Sequence, residues 1–173
     1  MASLLDQRRS ITQHAAPYDP SHDGLDGCHL HEFHIGGIVY ATPDPEDEGR
    51  VVVDDRRSTL QRVLPGISRF VYLYDFGDDW RHTITVEKVE SSYDGDSDVY
   101  AHLEAGERAC PPEDSGGPLH YQEFLDQFAK DPQQADVRDF LIWAGKSFDP
   151  GRFDRDTVNA TLSCKTWNRP KKK

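Results

Sequence analysis

The chain has 173 residues, 36% of them hydrophobic, and a formal net charge of −11 at pH 7. This length predicts one domain with a single core. The charge is uneven: residues 165–173 contain five basic side chains and no acidic one, whereas residues 1–164 contain 15 basic and 31 acidic side chains. Such an acidic body repels phosphate backbones, so the composition disfavours nucleic-acid binding except through the basic tail at 165–173.

Cysteine usage and hydropathy both favour a cytoplasmic protein. Cys28, Cys110 and Cys164 are widely spaced and odd in number, which makes them a poor disulfide framework and predicts reduced thiols. No segment approaches the roughly 18 apolar residues of a membrane-spanning helix, and the start of the chain has no apolar run typical of a signal peptide.

The first ordered element is predicted to be a β-hairpin. Residues 1–23 are polar and without sustained periodicity, so we expect a disordered lead-in. Two β-rich runs then follow at 29–35 and 38–41, separated by Gly36-Gly37. Two runs of this kind joined by two glycines are a strong hairpin signal.

A short strand and a short helix are expected next. Residues 51–53 are three consecutive valines, which favour a strand. Ser58 and Gln61 match a capping box, which predicts a helix that ends at Leu64 before Pro65-Gly66.

A second, aromatic hairpin occupies the centre of the chain. Apolar and aromatic residues alternate on both sides of Gly77-Asp78, which we predict to be the turn: Phe70, Tyr72, Tyr74 and Phe76 before it, and Trp80, His82, Ile84 and Val86 after it. The second strand is expected to run to about residue 90, and the composition of 91–98 predicts a loop.

The second half of the chain carries helical patterns. After a connection at 110–117, Pro118 suits the first position of a helix that reaches about residue 129, and further helices are predicted from 132 or 133 to 144 and from 154 to 164. The residues expected to face inward are Leu119, Phe124, Leu125, Phe128, Val137, Phe140, Leu141, Trp143, Val158 and Leu162. Together the elements predict an α+β fold, with an antiparallel sheet of hairpins in the first half packed against helices of the second half.

The histidines of the first hairpin suggest a metal site. On an extended strand His29 and His31 point to one face and His34 to the other, so two of the three can share an ion. The remaining ligands would come from the central turn, which gives the candidate set His29, His31, Asp75, Asp78 and His82, with zinc or manganese as the ion. The alternative is that the histidines lie on a half-exposed strand and bind no cofactor, and it is favoured because a two-residue spacing is common by chance and a closed site needs three or four ligands.

Other candidate chemistry has structural alternatives of the same kind. The aspartates beside Gly77 suit turn chemistry as well as catalysis. Tyr72, Tyr74 and Trp80 can stack on bases or pack in a core. Cys110 would need a nearby base such as His82 or His120 to act as a nucleophile.

A further set of positions forms several separate motifs over about residues 24–163: Glu32, Phe33, Tyr74, Gly77, Trp80, Glu87, Cys110, Pro111, Pro112, Asp114, Gly116 and Gly117. In residue types and order these motifs resemble the family of plasmid pRiA4b ORF-3-like proteins, some of which are described as passenger proteins of insertion elements. The domain is placed at 24–164.

The resemblance implies an α+β domain and no established activity. The chain departs from the family pattern in its residues 1–23, which suggests an N-terminally incomplete copy of marginal stability. It departs also at Leu103, where many members have a cysteine, and at His120-Tyr121, where Gly-Tyr is usual. The leading hypothesis is a non-enzymatic cytosolic interaction or accessory protein associated with mobile elements, acting on an unknown protein partner. The alternative is a metal-dependent hydrolase or nuclease that uses the His/Asp cluster.

Overall fold

The computed structural model describes residues 2–5, 29–44, 49–88, 101–145 and 147–162, without the side chains of 2–5, 101–102 and 161–162. Within these ranges the chain forms seven strands and four helices: β1 (Ala2–Leu5), β2 (His31–Ile35), β3 (Ile38–Ala41), β4 (Val53–Asp54), α1 (Leu60–Val63), β5 (Arg69–Tyr74), β6 (Trp80–Thr85), β7 (Ala101–Leu103), α2 (Gly117–Lys130), α3 (Ala135–Ala144) and α4 (Arg155–Leu162). The predicted loop at 91–98 and the basic tail lie outside the described residues.

The centre of the fold is a five-stranded sheet in the order β4-β3-β2-β5-β6. Its strands pair antiparallel except for β3 and β4, which are parallel, so the sheet is mixed. The predicted α+β class is confirmed, and the parallel pairing of β4 is an addition to it.

A second, two-stranded sheet joins β1, which falls within the predicted lead-in, to β7. Helix α4 lies against β7 because the Asn159 side chain donates to the carbonyl of Leu103 and accepts from its amide, at 2.9 and 2.8 Å. Among the described residues, no helix has both the length and the apolar composition needed to span a membrane.

The first hairpin forms where it is predicted, although its first strand begins at His31 rather than at His29. Strands β2 and β3 pair around Gly36 and Gly37, whose φ angles are +59° and +81°. Two consecutive positive φ angles are the requirement of the tight hairpin turn that matches strand twist, which explains the two glycines.

The central hairpin has the predicted faces but a longer turn. Tyr72 pairs with His82 and Tyr74 with Trp80, so the alternating rings share one face of the sheet. The connection spans residues 75–79 rather than Gly77-Asp78 alone, because Asp75 and Asp79 both adopt left-handed backbone angles. The prediction was therefore wrong about Phe76, which lies in the turn and is exposed, and about the length of the second strand, which ends at Thr85.

The predicted capping box at Ser58 does not form. The short helix begins at Leu60 after Thr59, and no side chain caps its first amides. The Ser58 hydroxyl instead donates to the carbonyl of Asp54 at 3.0 Å, because the preceding residues form a 3-10 turn that brings this carbonyl within reach.

Two apolar clusters meet at Trp80. The sheet cluster consists of the buried residues Phe33, Ile35, Tyr40, Leu60, Leu64, Phe70, Tyr72 and Tyr74. The helical cluster is built on Tyr121, Phe124 and Val137. Trp80 packs against both, so its indole ring connects the sheet to the helices.

Helices α2 and α3 occur where the sequence predicts them, but two of the apolar side chains that are expected to face inward point outward. Leu119 is 83% exposed and Trp143 is 54% exposed, contrary to the inward orientation expected of both. At 100° per residue, Leu119 lies on the opposite side of α2 from Tyr121, and Trp143 is separated from Val137 by about 120° around the axis of α3.

Candidate metal centre

The His29 side chain lies at the junction between the sheet and the loop that leads into α2. Its ring is surrounded by three carboxylates: Nδ1 is 3.5 Å from Asp75 Oδ2, and Nε2 is 3.5 Å from both Glu113 Oε2 and Asp114 Oδ1. Single ligand atoms of His29, Asp75 and Asp114 all lie within 4.8 Å of one another. The cluster thus joins residues from three separate parts of the chain.

Asp75 is held in place by the central turn. Its backbone amide donates to the carbonyl of Leu30, which extends the pairing of β2 and β5 by one step. Its Oδ1 accepts from the amides of Gly77 and Asp78, at 3.0 and 3.3 Å. Because Oδ1 serves the turn, Oδ2 is the oxygen that faces His29.

Glu113 is fixed from the side of the sheet. The Tyr74 hydroxyl donates to its carboxylate, 3.0 and 3.1 Å from the two oxygens. The Tyr74 ring also packs edge-on against His29, with centroids 5.8 Å apart. Burial raises the pKa of Tyr74, and its hydrogen bond to Glu113 raises it further. The hydroxyl therefore stays protonated and acts as a donor.

The loop that carries Asp114 is docked on the central turn. Asp78 Oδ2 accepts from the amide of Gly116 at 3.0 Å. Gly117, with φ of +76°, lies so close to Asp78 that a Cβ would overlap the Asp78 carbonyl oxygen. This backbone approach brings Asp114 to His29.

The predicted metal-binding set divides in the structure. His29 and Asp75 come together, and Asp78 supports the loop beside them. His31 instead contacts Asp55, with Nε2 3.2 Å from Oδ2 of that fully buried carboxylate. The assignment of all five residues to one ion stays a prediction.

His82, the fifth member of that set, packs on the Tyr72 ring, with centroids 5.5 Å apart. Partial desolvation lowers the pKa of His82 below its ordinary value. His34 lies on the other face of the sheet, where it contacts buried Glu32 at 2.5 Å.

Sequence reasoning missed Glu113 and Asp114 as members of the site. They come directly after Pro111-Pro112, and two adjacent carboxylates on a proline-stiffened loop were the available signal. What the sequence does not show is that this loop reaches His29, because that contact depends on the docking at Gly116 and Gly117.

The donor set of the cluster suits a divalent cation. Imidazole nitrogen and carboxylate oxygen together are ligands for zinc, manganese and iron. Three carboxylates around one histidine repel one another, and a doubly charged ion within the cluster relieves that repulsion.

Fold and site define an α+β domain in which a histidine and carboxylate cluster lies between a mixed sheet and a helical layer. Residues 22–157 match the family model described as plasmid pRiA4b ORF-3-like protein. The chain belongs to this family, and the resemblance inferred from the motifs is confirmed.

One related protein is similar in sequence to this chain, and one solved structure is similar in fold. Uncharacterized protein y4hQ of Sinorhizobium fredii (strain NBRC 101917 / NGR234) is 38% identical over 142 residues, which cover 81% of this chain and 68% of the relative. The crystal structure of the protein of unknown function MM3350 from Methanosarcina mazei Go1 matches with a TM-score of 0.61 and 31% identity, over 75% of this chain and 72% of that one.

Proposed function

We propose that this protein binds a divalent transition-metal ion at His29, with Asp75, Glu113 and Asp114 as the surrounding carboxylates. The observation that carries the proposal is the convergence of one imidazole and three carboxylates from the segment before β2, the central turn and the loop before α2. The proposed centre supports the metal-dependent alternative of the sequence analysis with a different ligand set.

The spacing of these atoms suits coordination better than direct ion pairing. Hydrogen bonds between an imidazolium and a carboxylate are typically about 2.7–2.9 Å long, whereas His29 Nε2 lies 3.5 Å from both Glu113 Oε2 and Asp114 Oδ1. Two ligands at about 2.1 Å from one ion in a tetrahedral shell lie roughly 3.4 Å apart. The separations are thus close to those of a coordination shell.

The test is metal binding and thermal stability of the chelator-treated protein. An ion that binds only the folded state at 100 times its Kd adds about 2.7 kcal/mol to the free energy of unfolding. For a chain of this size that corresponds to a rise in Tm of roughly 5–10 °C. Titration calorimetry with Mn²⁺ and Zn²⁺ should give one ion per chain.

The matched variants are His29→Ala and His34→Ala. Both variants remove one imidazole, from the residue two positions before β2 or from β2 itself. Only His29 faces the carboxylate cluster, whereas His34 lies on the opposite face beside Glu32. His29→Ala should abolish the metal-dependent rise in Tm and His34→Ala should retain it. Absence of stoichiometric metal in the unaltered protein, or equal loss in both variants, would refute the proposal.

An accessory role in contact with another protein is a second candidate, favoured by one observation. Leu119, Ile142 and Trp143 on α2 and α3 are large apolar side chains that are 83%, 76% and 54% exposed. Ile142 and Trp143 are consecutive in the sequence, and exposed apolar area of this kind marks interaction surfaces. This candidate includes the non-enzymatic, cytosolic and mobile-element roles suggested by the family resemblance. A photo-crosslinker at position 142 should capture a partner that the same group at exposed Asp126 does not capture.

A further inference from the structure

We propose that the metal centre is open: His29 Nε2, Glu113 and Asp114 hold the ion, Asp75 orients His29 without touching the ion, and the remaining coordination positions take water or an oxygen atom of a substrate. This inference rests on the proposed function and assigns the roles of its residues.

The two ring nitrogens of His29 face different carboxylates. Nδ1 faces Asp75, whereas Nε2 faces Glu113 and Asp114. The two nitrogens of one imidazole point in divergent directions, so a single ion binds only one of them. In metal sites the other ring N–H is commonly donated to a carboxylate, which fixes the tautomer and the orientation of the ring.

Asp75 fits the role of the orienting carboxylate. Its residue is 8% exposed, and its Oδ1 already accepts from two amides of the central turn. These bonds fix the carboxylate with Oδ2 3.5 Å from His29 Nδ1, so that a small rotation of the ring brings Nδ1–H within hydrogen-bond distance of Oδ2. With the proton on Nδ1, the lone pair of Nε2 points to Glu113 and Asp114.

The Nε2 side of the ring is the side open to solvent. The side chains of Glu113 and Asp114 are 31% and 75% exposed, against 11% for Asp75. Tyr74 holds Glu113 through one donated proton, and a carboxylate has about four lone-pair positions, so oxygen lone pairs remain for an ion.

Three protein ligands leave coordination positions for exchangeable molecules. Structural zinc sites use four protein ligands, whereas catalytic sites use three and keep a position for water or substrate. One nitrogen and two carboxylate oxygens are therefore the ligand number of an open centre. An ion held in this way polarises an oxygen-bearing molecule bound beside it.

The first experiment measures water on the bound ion. Relaxation of water protons by Mn²⁺ bound to the full chain should show at least one fast-exchanging water per ion. An ion that binds stoichiometrically but carries no exchangeable water would overturn the open centre while leaving the proposed function intact.

The second experiment separates the orienting residue from the ligands. Asp75→Asn should weaken Mn²⁺ binding about 10- to 100-fold, as loss of an orienting partner does, with the number of exchangeable waters per bound ion unchanged. Asp114→Asn and Glu113→Gln should increase that number, because water replaces a lost ligand. An increase in Asp75→Asn as well would show that Asp75 is a ligand and would overturn the assignment.

The third measurement needs no metal and remains valid if Asp75→Asn folds poorly. Nitrogen-15 NMR of the unaltered, metal-free protein should show the neutral form of the His29 ring as the Nδ1–H tautomer. The Nε2–H tautomer would overturn the assignment of Asp75 even if metal binds. Absence of metal binding together with the Nδ1–H tautomer would refute the metal site and leave only the role of Asp75 in orienting His29.

Discussion

Replacement of Gly117 by alanine should separate the two halves of the metal centre. Gly117 has φ of +76°, and a Cβ at this position would overlap the carbonyl oxygen of Asp78 and lie 3.2 Å from its carbonyl carbon. Because both obstructing atoms belong to the backbone, the loop that carries Asp114 must move away from the central turn.

The expected loss in the free energy of unfolding of Gly117→Ala has two parts. An alanine in the left-handed region costs about 1–2 kcal/mol, and overpacking against a fixed neighbour costs roughly a further 1–3 kcal/mol. The matched control is Gly66→Ala, since Gly66 has φ of +80° and no atom within 4 Å of its added Cβ. Gly66→Ala should therefore show only the first part.

Urea unfolding followed by tryptophan fluorescence gives the two free energies, and titration with Mn²⁺ gives the affinities. Gly117→Ala should lose about 2–5 kcal/mol of stability by the same two terms and most of its Mn²⁺ affinity, whereas Gly66→Ala should keep that affinity. Equal losses of stability in the two variants, or unchanged Mn²⁺ affinity in Gly117→Ala, would refute the argument that this close approach positions Asp114.

Three further predictions follow from single contacts. Tyr74→Phe should weaken Mn²⁺ binding about 10-fold because Glu113 loses its fixed donor. The control Tyr72→Phe removes a hydroxyl two residues away on the same face and should leave Mn²⁺ affinity unchanged. Equal affinities of the two variants by calorimetry would contradict this. Val137→Ala should lower the free energy of unfolding in urea by about 2 kcal/mol, since Val137 is 1% exposed. Ile142→Ala on the same helix should change it by no more than about 0.5 kcal/mol. Similar values for both variants would show that the helical core is wrongly placed. Burial opposes ionisation of Glu32, but hydrogen bonds from His34 and Arg50 outweigh it and lower its pKa below 4.5. The contribution of Glu32 to stability is therefore present above that pH and lost as the pH falls through the lowered folded-state pKa. Glu32→Gln should flatten the acid side of a plot of unfolding free energy against pH. An unchanged acid side would argue against the pairing of Glu32 with His34 and Arg50.

The local parts of the fold follow from short stretches of sequence. Gly36-Gly37 between two β-rich runs determines the first hairpin. Alternating aromatic and aliphatic side chains from Phe70 to Ile84 determine which face of the central hairpin is buried. These signals succeed because strand periodicity and turn chemistry act between residues that are near in sequence.

The errors arise where the surroundings of an element differ from those that its local pattern predicts. Ser58 matches a capping box, but its hydroxyl donates to the Asp54 carbonyl that a 3-10 turn presents. Leu119 and Trp143 fit apolar stripes, yet each lies on a side of its helix that the described core does not cover.

The sequence by itself determined the family and the α+β class, and it named His29 and Asp75 among the candidate site residues. Only the tertiary structure decided which groups meet. The register of β2 against β5 places His29 beside Asp75, and the docking of Gly117 on Asp78 brings Glu113 and Asp114 to the same imidazole. Distances between distant residues depend on register and backbone packing, which local periodicity does not encode.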